Sequence, residues 1–150
     1  MKTKSATLAP LVRTVMISLN PEAAFARFTE GIASWWPMAT HSVGEKETES
    51  VILEGRIGGR FYERQLGGKT SDWGTVTAWD PPRLVAFTWH PGRGPDTAQN
   101  VEVRFRAASG GTDVEVIHRD WEILGDKAAE MRGAYDQGWI GVLELFAKLS

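Results

Sequence analysis

Residues 126–149 read DKAAEMRGAYDQGWIGVLELFAKL, and this segment decides the fold. Its apolar side chains recur at spacings of three and four residues, which is the period of one face of an α-helix. They are Ala128, Met131, Tyr135, Trp139, Val142, Phe146 and Leu149. The pattern predicts one helix that begins with Asp126 as its N-cap and ends at Leu149. At roughly 1.5 Å per residue this helix is about 36 Å long, which spans a small domain.

The segments before this helix predict mainly strands. Period-two alternation and the turn residues between segments predict about seven of them. They are Leu11–Leu19, Ser50–Glu54, Gly58–Leu66, Asp72–Trp79, Leu84–His90, Gln99–Ala107 and Thr112–Arg119. The connections between the last six are too short for a parallel crossover, which predicts antiparallel pairing. Asn20-Pro21-Glu22 predicts a helix start after the first strand. A second short helical turn is expected to hold Ile32, Trp35 and Trp36 before Pro37 ends it.

These elements predict an α+β fold in which a curved antiparallel sheet wraps around the C-terminal helix, in the order β-α-α-β6-α. An antiparallel sheet with one apolar face has to cover that face, and the last helix is the only predicted element large enough. A strongly twisted sheet cannot close completely on a single helix, so we expect a cavity between them. We expect one domain over residues 10–150, with residues 1–9 loosely held.

The composition excludes several classes of function. The 150 residues include no cysteine, so disulfides, thiol catalysis and cysteine-ligated zinc are excluded. Lys and Arg number 17 and Asp and Glu 19, for a net charge of −2. Binding to nucleic-acid phosphates normally needs a basic excess, so we predict no nucleic-acid partner. No segment resembles a signal peptide or a membrane span, and we therefore expect a cytoplasmic protein.

Seven short motifs, in order along the chain, resemble the helix-grip superfamily, also called SRPBCC, START-like or Bet v 1-like. They are Pro21–Phe25, Trp35–Pro37, Gly58–Glu63, Trp73–Val76, Asp80–Leu84, Phe87–Trp89 and Gly138–Trp139. Within the superfamily, the chain is most similar to the bacterial group related to the activator of the Hsp90 ATPase. The resemblance runs from Leu11 onward and implies the helix-grip fold. It does not decide function, because the superfamily includes ligand carriers, cyclases, hydrolase-like members and co-chaperone domains.

Alternation along the strands indicates which side chains face the helix and line the expected cavity. The sheet contributes Phe61 and Glu63 from one strand, Phe87 and Trp89 from another, and Val103 and His118 from the last two. The loop after the second helical turn and the last helix contribute the rest. The predicted ligand-binding residues are Trp36, His41, Phe61, Glu63, Phe87, Trp89, Val103, His118, Tyr135 and Trp139.

Glu63 and His118 are the ionisable groups predicted on this largely aromatic surface. As a functional pair they would anchor the polar part of a ligand or act as acid and base. The alternative is a structural hydrogen-bonded pair, or two residues that never meet. His41, His90 and His118 could bind zinc with Glu63, but no short ligand spacing joins them, so we predict no metal and no cofactor. The phase of its strand points His90 away from the helix.

The seven tryptophans either fill the core or line a pocket. Trp89 of the sheet and Trp139 of the helix are the better candidates for the lining. Alternation puts Trp73 and Trp79 on one side of their strand, together with the two threonines between them. It leaves open which side faces the helix.

Small residues form a second stripe on the last helix, beside the apolar one. Ala134, Gly138 and Gly141 lie on it, although each glycine inside a helix costs about 1 kcal/mol relative to alanine. Small residues permit a close backbone approach or leave volume beside a helix. We expect this stripe to border either the cavity or a homodimer contact.

Three functions are consistent with the sequence. The leading hypothesis is a non-enzymatic or weakly catalytic binding protein that holds a small, largely apolar organic ligand with Glu63 and His118 as polar anchors. The second is an enzyme of the cyclase or hydratase type, in which both side chains must converge on one open volume. The third is an Hsp90-type co-chaperone or protein-interaction module, which should expose a contiguous patch. For that patch the sequence offers the acidic loop at residues 45–49.

Overall fold

The computed structural model describes residues 8–148. In chain order its strands and helices are β1 (Leu11–Ile17), α1 (Pro21–Phe28), β2 (Thr48–Leu53), β3 (Arg60–Gln65), β4 (Thr70–Asp80), β5 (Leu84–Trp89), β6 (Gln99–Ala108), β7 (Gly111–Arg119) and α2 (Ala128–Ala147). This is the predicted α+β helix-grip arrangement, with a short 3-10 turn at Ile32–Ser34 after α1. Most of the segment predicted to be loosely held, and Leu149 of the apolar stripe, lie outside the described residues.

All seven strands form one antiparallel sheet in the order β1-β7-β6-β5-β4-β3-β2. β1 and β2 therefore lie at opposite edges, and α1, the 3-10 turn and a loop connect them. The sheet is curved and its concave face holds α2, as predicted. Of the helices within residues 8–148, none combines the length and the apolar character that a membrane crossing requires.

α1 begins where the sequence predicted. The Asn20 side chain accepts a hydrogen bond from the backbone N–H of Ala23 at 2.8 Å, which satisfies one free donor of the first turn. Pro21 occupies the first helical position, where its missing N–H costs nothing. The helix then buries Phe25 and Phe28 against β6 and β7.

α2 begins one residue later than the predicted N-cap implies. A 3-10 segment at Trp121–Lys127 precedes it, and Gly125 breaks that segment with a φ of 59° and a ψ of −128°. Because of this kink, regular helical geometry starts only at Ala128. Asp126 is therefore not the N-cap; the N-cap is Lys127, whose side chain makes no capping hydrogen bond.

Two arginines fix α2 against the rest of the molecule. Arg13 of β1 donates from Nε to the Asp136 carboxylate at 2.6 Å, which joins α2 to the edge strand. Arg27 of α1 donates to the carbonyl oxygens of Phe146 at 2.9 Å and Lys148 at 2.7 Å. These carbonyls lie in the last turn and at the C-cap, where no helical N–H reaches them.

Aromatic rings fill the interior between α1, the sheet and the end of α2. The Phe28 ring lies 5.4 Å from that of Phe146 and 5.9 Å from that of Phe105, centroid to centroid. Trp35 lies 4.9 Å from Phe146, and Phe25 lies 5.1 Å from Phe105. The sheet and helices are closely packed on this side of the molecule.

β4 departs from regular alternation. Its pairing shifts register against both β3 and β5, so Trp73, Val76 and Trp79 face the interior at intervals of three residues. The threonines between the two tryptophans are exposed, so their predicted place on the same side as the tryptophans is wrong. Gly74 is required in the irregular part, because a Cβ there would lie 1.7 Å from the carbonyl oxygen of Thr88.

Candidate functional site

A cavity of about 420 Å³ lies between the sheet and α2, as the predicted fold requires. Cavities that bind small molecules commonly measure roughly 300–1,000 Å³. The walls are mainly aromatic. The four tryptophans that line it are Trp36, Trp73, Trp89 and Trp139.

Helix α2 and two loops complete the lining. The α2 residues are Tyr135, Gly138 and Val142. The loop between the 3-10 turn and β2 contributes Thr40, His41, Ser42 and Val43. The loop after β5 contributes Pro91 and Gly92. The polar atoms therefore come mainly from one loop at the rim, and the interior surface is apolar.

The predicted ligand-binding residues fall into two groups. Those that line the cavity are Trp36, His41, Trp89, Tyr135 and Trp139. Those that face the same side of the sheet but do not line the cavity are Phe61, Glu63, Phe87, Val103 and His118. In this second group the side chains are buried in the interior but do not reach the cavity surface, where the sequence analysis expects them, and their contact with a ligand stays a prediction.

The difference arises because alternation indicates direction and not depth. The Phe61 ring packs 5.2 Å from Trp73 and the Phe87 ring 5.9 Å from Trp89, and these tryptophans form the wall. Val103 has no exposed surface in the middle of β6. These side chains support the wall from behind.

Glu63 has no exposed surface, and its carboxylate accepts hydrogen bonds from five donors. The donors are the backbone N–H groups of Val43 and Gly44, the indole of Trp73, the amide of Gln65 and the hydroxyl of Thr48, at 2.7–3.0 Å. Since Val43 and Trp73 line the cavity, the carboxylate joins the rim loop to the aromatic wall. Glu63 therefore positions the site without touching it.

Burial raises the pKa of the Glu63 carboxyl, but its hydrogen bonds act in the opposite direction. The donors at Val43, Gln65, Trp73 and Gly44 together outweigh burial and hold the pKa below its ordinary value of 4.5. Glu63 is accordingly ionised at neutral pH. A carboxylate in this state, with all its acceptor positions engaged, is a structural anchor.

His118 has no exposed surface and lies in a second polar network. The Trp139 indole donates from Nε1 to Nδ1 of His118 at 3.1 Å, and Nε2 of His118 lies 3.1 Å from Oε1 of Gln99. An indole can only donate, so Nδ1 is the acceptor and the proton of the neutral imidazole is on Nε2. The Trp121 ring stacks on the imidazole at 4.1 Å.

Burial, with a smaller contribution from the positive charge of Arg93, lowers the pKa of His118 to about 3. The imidazole is therefore neutral throughout the physiological range. Its role is to hold Trp139, which lines the cavity, in one orientation.

Glu63 and His118 do not form the predicted acid–base pair. They lie on β3 and β7, with three strands between them, and within residues 8–148 no hydrogen bond joins them. Neither lines the cavity. The two side chains therefore do not converge on one open volume, which an acid–base pair requires. They also do not form a hydrogen-bonded structural pair, so the remaining alternative holds: the two residues never meet.

The rim loop is held by its own hydrogen bonds. The Trp36 indole donates to the carbonyl oxygen of His41 at 2.7 Å. The Thr40 hydroxyl lies 2.7 Å from Nδ1 of His41, and the Ser42 hydroxyl lies 2.8 Å from that of Thr48. His41 is exposed and lines the cavity.

His90 contributes no site for a metal ion. It does not line the cavity but lies in a neighbouring groove with Arg60 and Asp72, where it is only 6% exposed. Its Nδ1 lies 3.0 Å from the carbonyl oxygen of Arg93, which covers it. Within the described residues there is no cluster of three or more His, Asp or Glu side chains suited to a metal.

Sequence reasoning missed lining residues for identifiable reasons. Those in loops, where no periodicity exists, are Thr40, Ser42, Val43, Pro91 and Gly92. Alternation does not decide which side of its strand Trp73 faces, and the register shifts in β4 mean that a period of two does not apply there. Gly138 was expected to border a cavity or a dimer contact; it lines the cavity, and a Cβ built on it would meet no atom within 4 Å.

Residues 18–150 match the family model described as Activator of Hsp90 ATPase homolog 1-like protein. A solved structure described as an anthrahydroquino-gamma-pyrone synthase, Txn09, complexed with SUM, is 33% identical, with a TM-score of 0.60 over 87% of this chain and 88% of that chain. No curated protein matches the chain.

Two further solved structures have similar folds. The AHSA1-like protein from Aeromonas hydrophila is 23% identical, with a TM-score of 0.63 over 92% of this chain and 89% of that chain. The Aha1 dimer from Colwellia psychrerythraea is 17% identical, with a TM-score of 0.66 over 93% of this chain and 94% of that chain. At these identities the likeness shows the fold alone.

The substitution Glu63→Gln tests the anchoring role of this carboxylate. It replaces one acceptor oxygen by an NH₂ group that has to face a donor. We expect the free energy of unfolding at pH 7 to fall by about 2–4 kcal/mol, because buried charge-assisted hydrogen bonds are lost. Urea unfolding measures this change, and hydrogen exchange at the Val43 and Gly44 amides should become faster.

Glu49→Gln is the matched control, because its half-exposed carboxylate makes only a 3.5 Å contact with Arg64. We expect it to change stability by about 0.5 kcal/mol or less. A Glu63→Gln protein as stable as the parent, with unchanged exchange at Val43 and Gly44, would contradict the anchoring role.

The low pKa of His118 predicts a pH dependence of stability. Between pH 6.5 and pH 3 the unfolded chain binds a proton at this residue and the folded chain does not, so stability must fall as the pH falls. From pH 7.5 to pH 5 this one group should lower the free energy of unfolding by about 2 kcal/mol. In the His118→Gln variant, urea unfolding across this pH range should show a correspondingly smaller decrease in the free energy of unfolding. The same loss in both proteins would rule the prediction out.

Proposed function

The chain belongs to the family of Activator of Hsp90 ATPase homolog 1-like proteins, and on that premise we propose that it binds a small, flat, largely apolar organic molecule. The observation that carries the proposal is the cavity of about 420 Å³ walled by four tryptophans. Indole rings offer large apolar surfaces and pair favourably with other aromatic rings. A planar aromatic ligand is the class of molecule that uses both properties.

The orientation of the wall supports this proposal. The indole N–H groups of Trp36, Trp73 and Trp139 each donate to a protein acceptor. The acceptors are the carbonyl of His41, the carboxylate of Glu63 and the imidazole of His118, at 2.7, 2.7 and 3.1 Å. Rings held in this way lose little conformational freedom when a ligand arrives, which favours binding. Thr40, His41 and Ser42 would contact the polar part of the ligand at the rim.

A second candidate is a cyclase-type enzyme, which the 33% identity to the synthase structure favours over other enzymes. In place of the predicted Glu63 and His118, the ionisable side chains that line the cavity are His41 and Tyr135. Closure of an ortho-hydroxyaryl 1,3-diketone to a γ-pyrone forms one C–O bond and releases one water. His41, with Thr40 at Nδ1, is the group suited to take the phenol proton as the oxygen attacks the carbonyl.

The co-chaperone alternative has less support. The large exposed apolar side chains are spread over β1, several loops and α2 rather than gathered on one element. They are Val12, Met16, Val43, Ile57, Leu66, Ile123, Ile140 and Leu145. A homodimer is a further prediction, for which the dimeric Aha1 of Colwellia psychrerythraea is a precedent. The cytoplasmic location likewise stays a prediction.

Gly138→Leu tests the binding proposal by filling the cavity. A neutral, flat fluorescent probe, N-phenyl-1-naphthylamine, should bind the parent protein and quench tryptophan emission. In the variant we expect its affinity to fall at least about tenfold, because the new side chain occupies the binding volume. Stability should not fall, since replacing a helical glycine gains up to about 1 kcal/mol.

Gly133→Leu is the matched control, since Gly133 is exposed on the same helix and a Cβ there also meets nothing within 4 Å. It should bind the probe like the parent protein. Failure of the parent to bind, or equal affinity in both variants, would count against a ligand in this cavity.

The enzyme candidate is tested with an anthrahydroquinone that carries an ortho-hydroxyaryl 1,3-diketone side chain. Mass spectrometry would detect turnover as a γ-pyrone product about 18 Da lighter than the substrate, because ring closure releases water. We expect His41→Ala to lower the turnover number about 100-fold or more while the substrate still quenches tryptophan emission. If the parent protein binds this substrate without turning it over, the proposed binding function stands and the cyclase candidate is excluded.

A further inference from the structure

A polar groove of about 590 Å³ adjoins the tryptophan-lined cavity. Its lining comes from β3, β4, the loop after β5 and Val43 of the rim loop, and it includes the ion pair of Arg60 with Asp72. Hydroxyl groups complete its polar surface. They belong to Thr70, Ser71 and Thr75. The groove therefore offers hydrogen-bonding groups beside a cavity whose interior is apolar.

Two residues, Val43 and Gly92, line both the cavity and the groove. They lie close together, since a Cβ built on Gly92 would be 3.9 Å from Cγ2 of Val43. Gly92 has a φ of 75°, which favours glycine, so the divide consists there of backbone alone. Both hollows are open to solvent beside this divide. A substituent of a ligand in the cavity can therefore cross the divide and enter the groove.

The ion pair in the groove leaves one donor and one acceptor free. Nε and Nη2 of Arg60 both donate to Oδ1 of Asp72, at 3.0 and 2.7 Å. Within residues 8–148, Oδ2 of Asp72 accepts no hydrogen bond and Nη1 of Arg60 donates none. About half of each side chain is exposed, so both groups are accessible to a ligand.

His90 adds a second acceptor to the groove. Its Nδ1 lies 3.0 Å from the carbonyl oxygen of Arg93, which can only accept, so the proton of the neutral imidazole is on Nδ1. Nε2 therefore carries a lone pair, and no donor of the described residues reaches it. Because His90 is buried where it lines the groove, this acceptor is fixed before a ligand arrives.

The charges of the groove favour a neutral ligand group. Arg93 also lines the groove, but its two Nη atoms donate to acceptors of the chain and its Nε is buried. An anion would gain no hydrogen bond from Arg93 and would meet the free oxygen of Asp72. A cation would meet two guanidinium groups. A hydroxyl group both donates and accepts, so it can pair with the free donor of Arg60 and with the acceptors of Asp72 and His90.

We propose that the ligand of the cavity carries a neutral polyhydroxyl substituent, of the kind a sugar provides, which lies in the groove and forms hydrogen bonds with Arg60, Asp72 and His90. This inference rests on the proposed binding function and adds the chemical class of the ligand, an aryl glycoside or a similar aryl polyol. The aromatic part occupies the tryptophan-lined volume. The link between the two parts crosses the divide at Val43 and Gly92.

The test compares 2-naphthyl β-D-glucopyranoside with 2-methoxynaphthalene, which has the same rings and ether oxygen but no hydroxyl group, by isothermal titration at pH 7.5. The parent protein should bind the glucoside at least about tenfold more tightly, the equivalent of one or two additional hydrogen bonds. The double substitution Arg60→Ala with Asp72→Ala should reduce this preference to about twofold or less, because it removes the free donor and one acceptor. It should leave the affinity for 2-methoxynaphthalene within about twofold of the parent value, since neither residue lines the cavity.

The matched control is the double substitution Asp80→Ala with Arg83→Ala. This pair is also exposed, has an N–O distance of 2.8 Å against 2.7 Å for Arg60 and Asp72, and lines neither hollow. The control protein should keep the preference for the glucoside.

Three results would overturn the polyhydroxyl proposal and leave the binding function standing. One is equal affinity of the parent protein for the two probes, and another is a preference that survives the loss of Arg60 and Asp72. The third is tighter binding of 2-naphthyl β-D-glucuronide, whose sugar carries a carboxylate, which would assign an anionic group to the groove. Binding of none of these probes by the parent protein would contradict the binding function as well.

Discussion

One helix of 20 residues has to cover the concave face of a seven-stranded sheet. A helix with its side chains is about 10 Å across, and seven strands at about 4.8 Å spacing are roughly three times as wide. The part of the concave face that the helix does not cover is either filled by other side chains or left open. On one side α1 fills it with the rings of Phe25 and Phe28, which pack on Phe105 and Phe146. On the other side residues 8–148 contribute no second helix, and the cavity lies there.

The open side needs walls that do not collapse into the cavity. Each of two buried polar groups holds a wall residue by its indole N–H: Glu63 holds Trp73 and His118 holds Trp139. Glu63 also binds the rim loop through the amide of Val43. The polar groups therefore stabilise an apolar surface from behind. Such a cavity is kept open at the cost of burying a carboxylate and an imidazole.

The fold was predictable because it depends on periodicity, which the sequence displays directly. The stripe on the last helix and the alternation in β6 and β7 correctly give the element types and the buried faces. The start of α2 was not predictable in this way, because Gly125 breaks the 3-10 segment before it and displaces the cap from Asp126. In β4, the register shifts around Trp73 change the period from two to three, which no alternation rule anticipates.

The site was less predictable, since a site depends on depth and on loops. Alternation correctly turned Phe61 and Glu63 inward, but it carries no information on which inward residues another ring covers. His41 was found because it follows two tryptophans, whereas Pro91 and Gly92 gave no sign of their place at the mouth. The residues that close a cavity come from segments without a repeating pattern.

The buried ionisable groups of this interior are engaged by the chain itself. Glu63 has every acceptor position occupied by donors of the chain, so a ligand has nothing to add there. His118 is likewise engaged at both ring nitrogens, by the Trp139 indole and by the Gln99 amide. Leaving such buried groups without partners would be unfavourable, so their hydrogen bonds fix them in place. The titratable groups that first suggest function from the sequence are therefore the structural ones, and the polar side chains at the cavity surface are those of the rim loop and Tyr135.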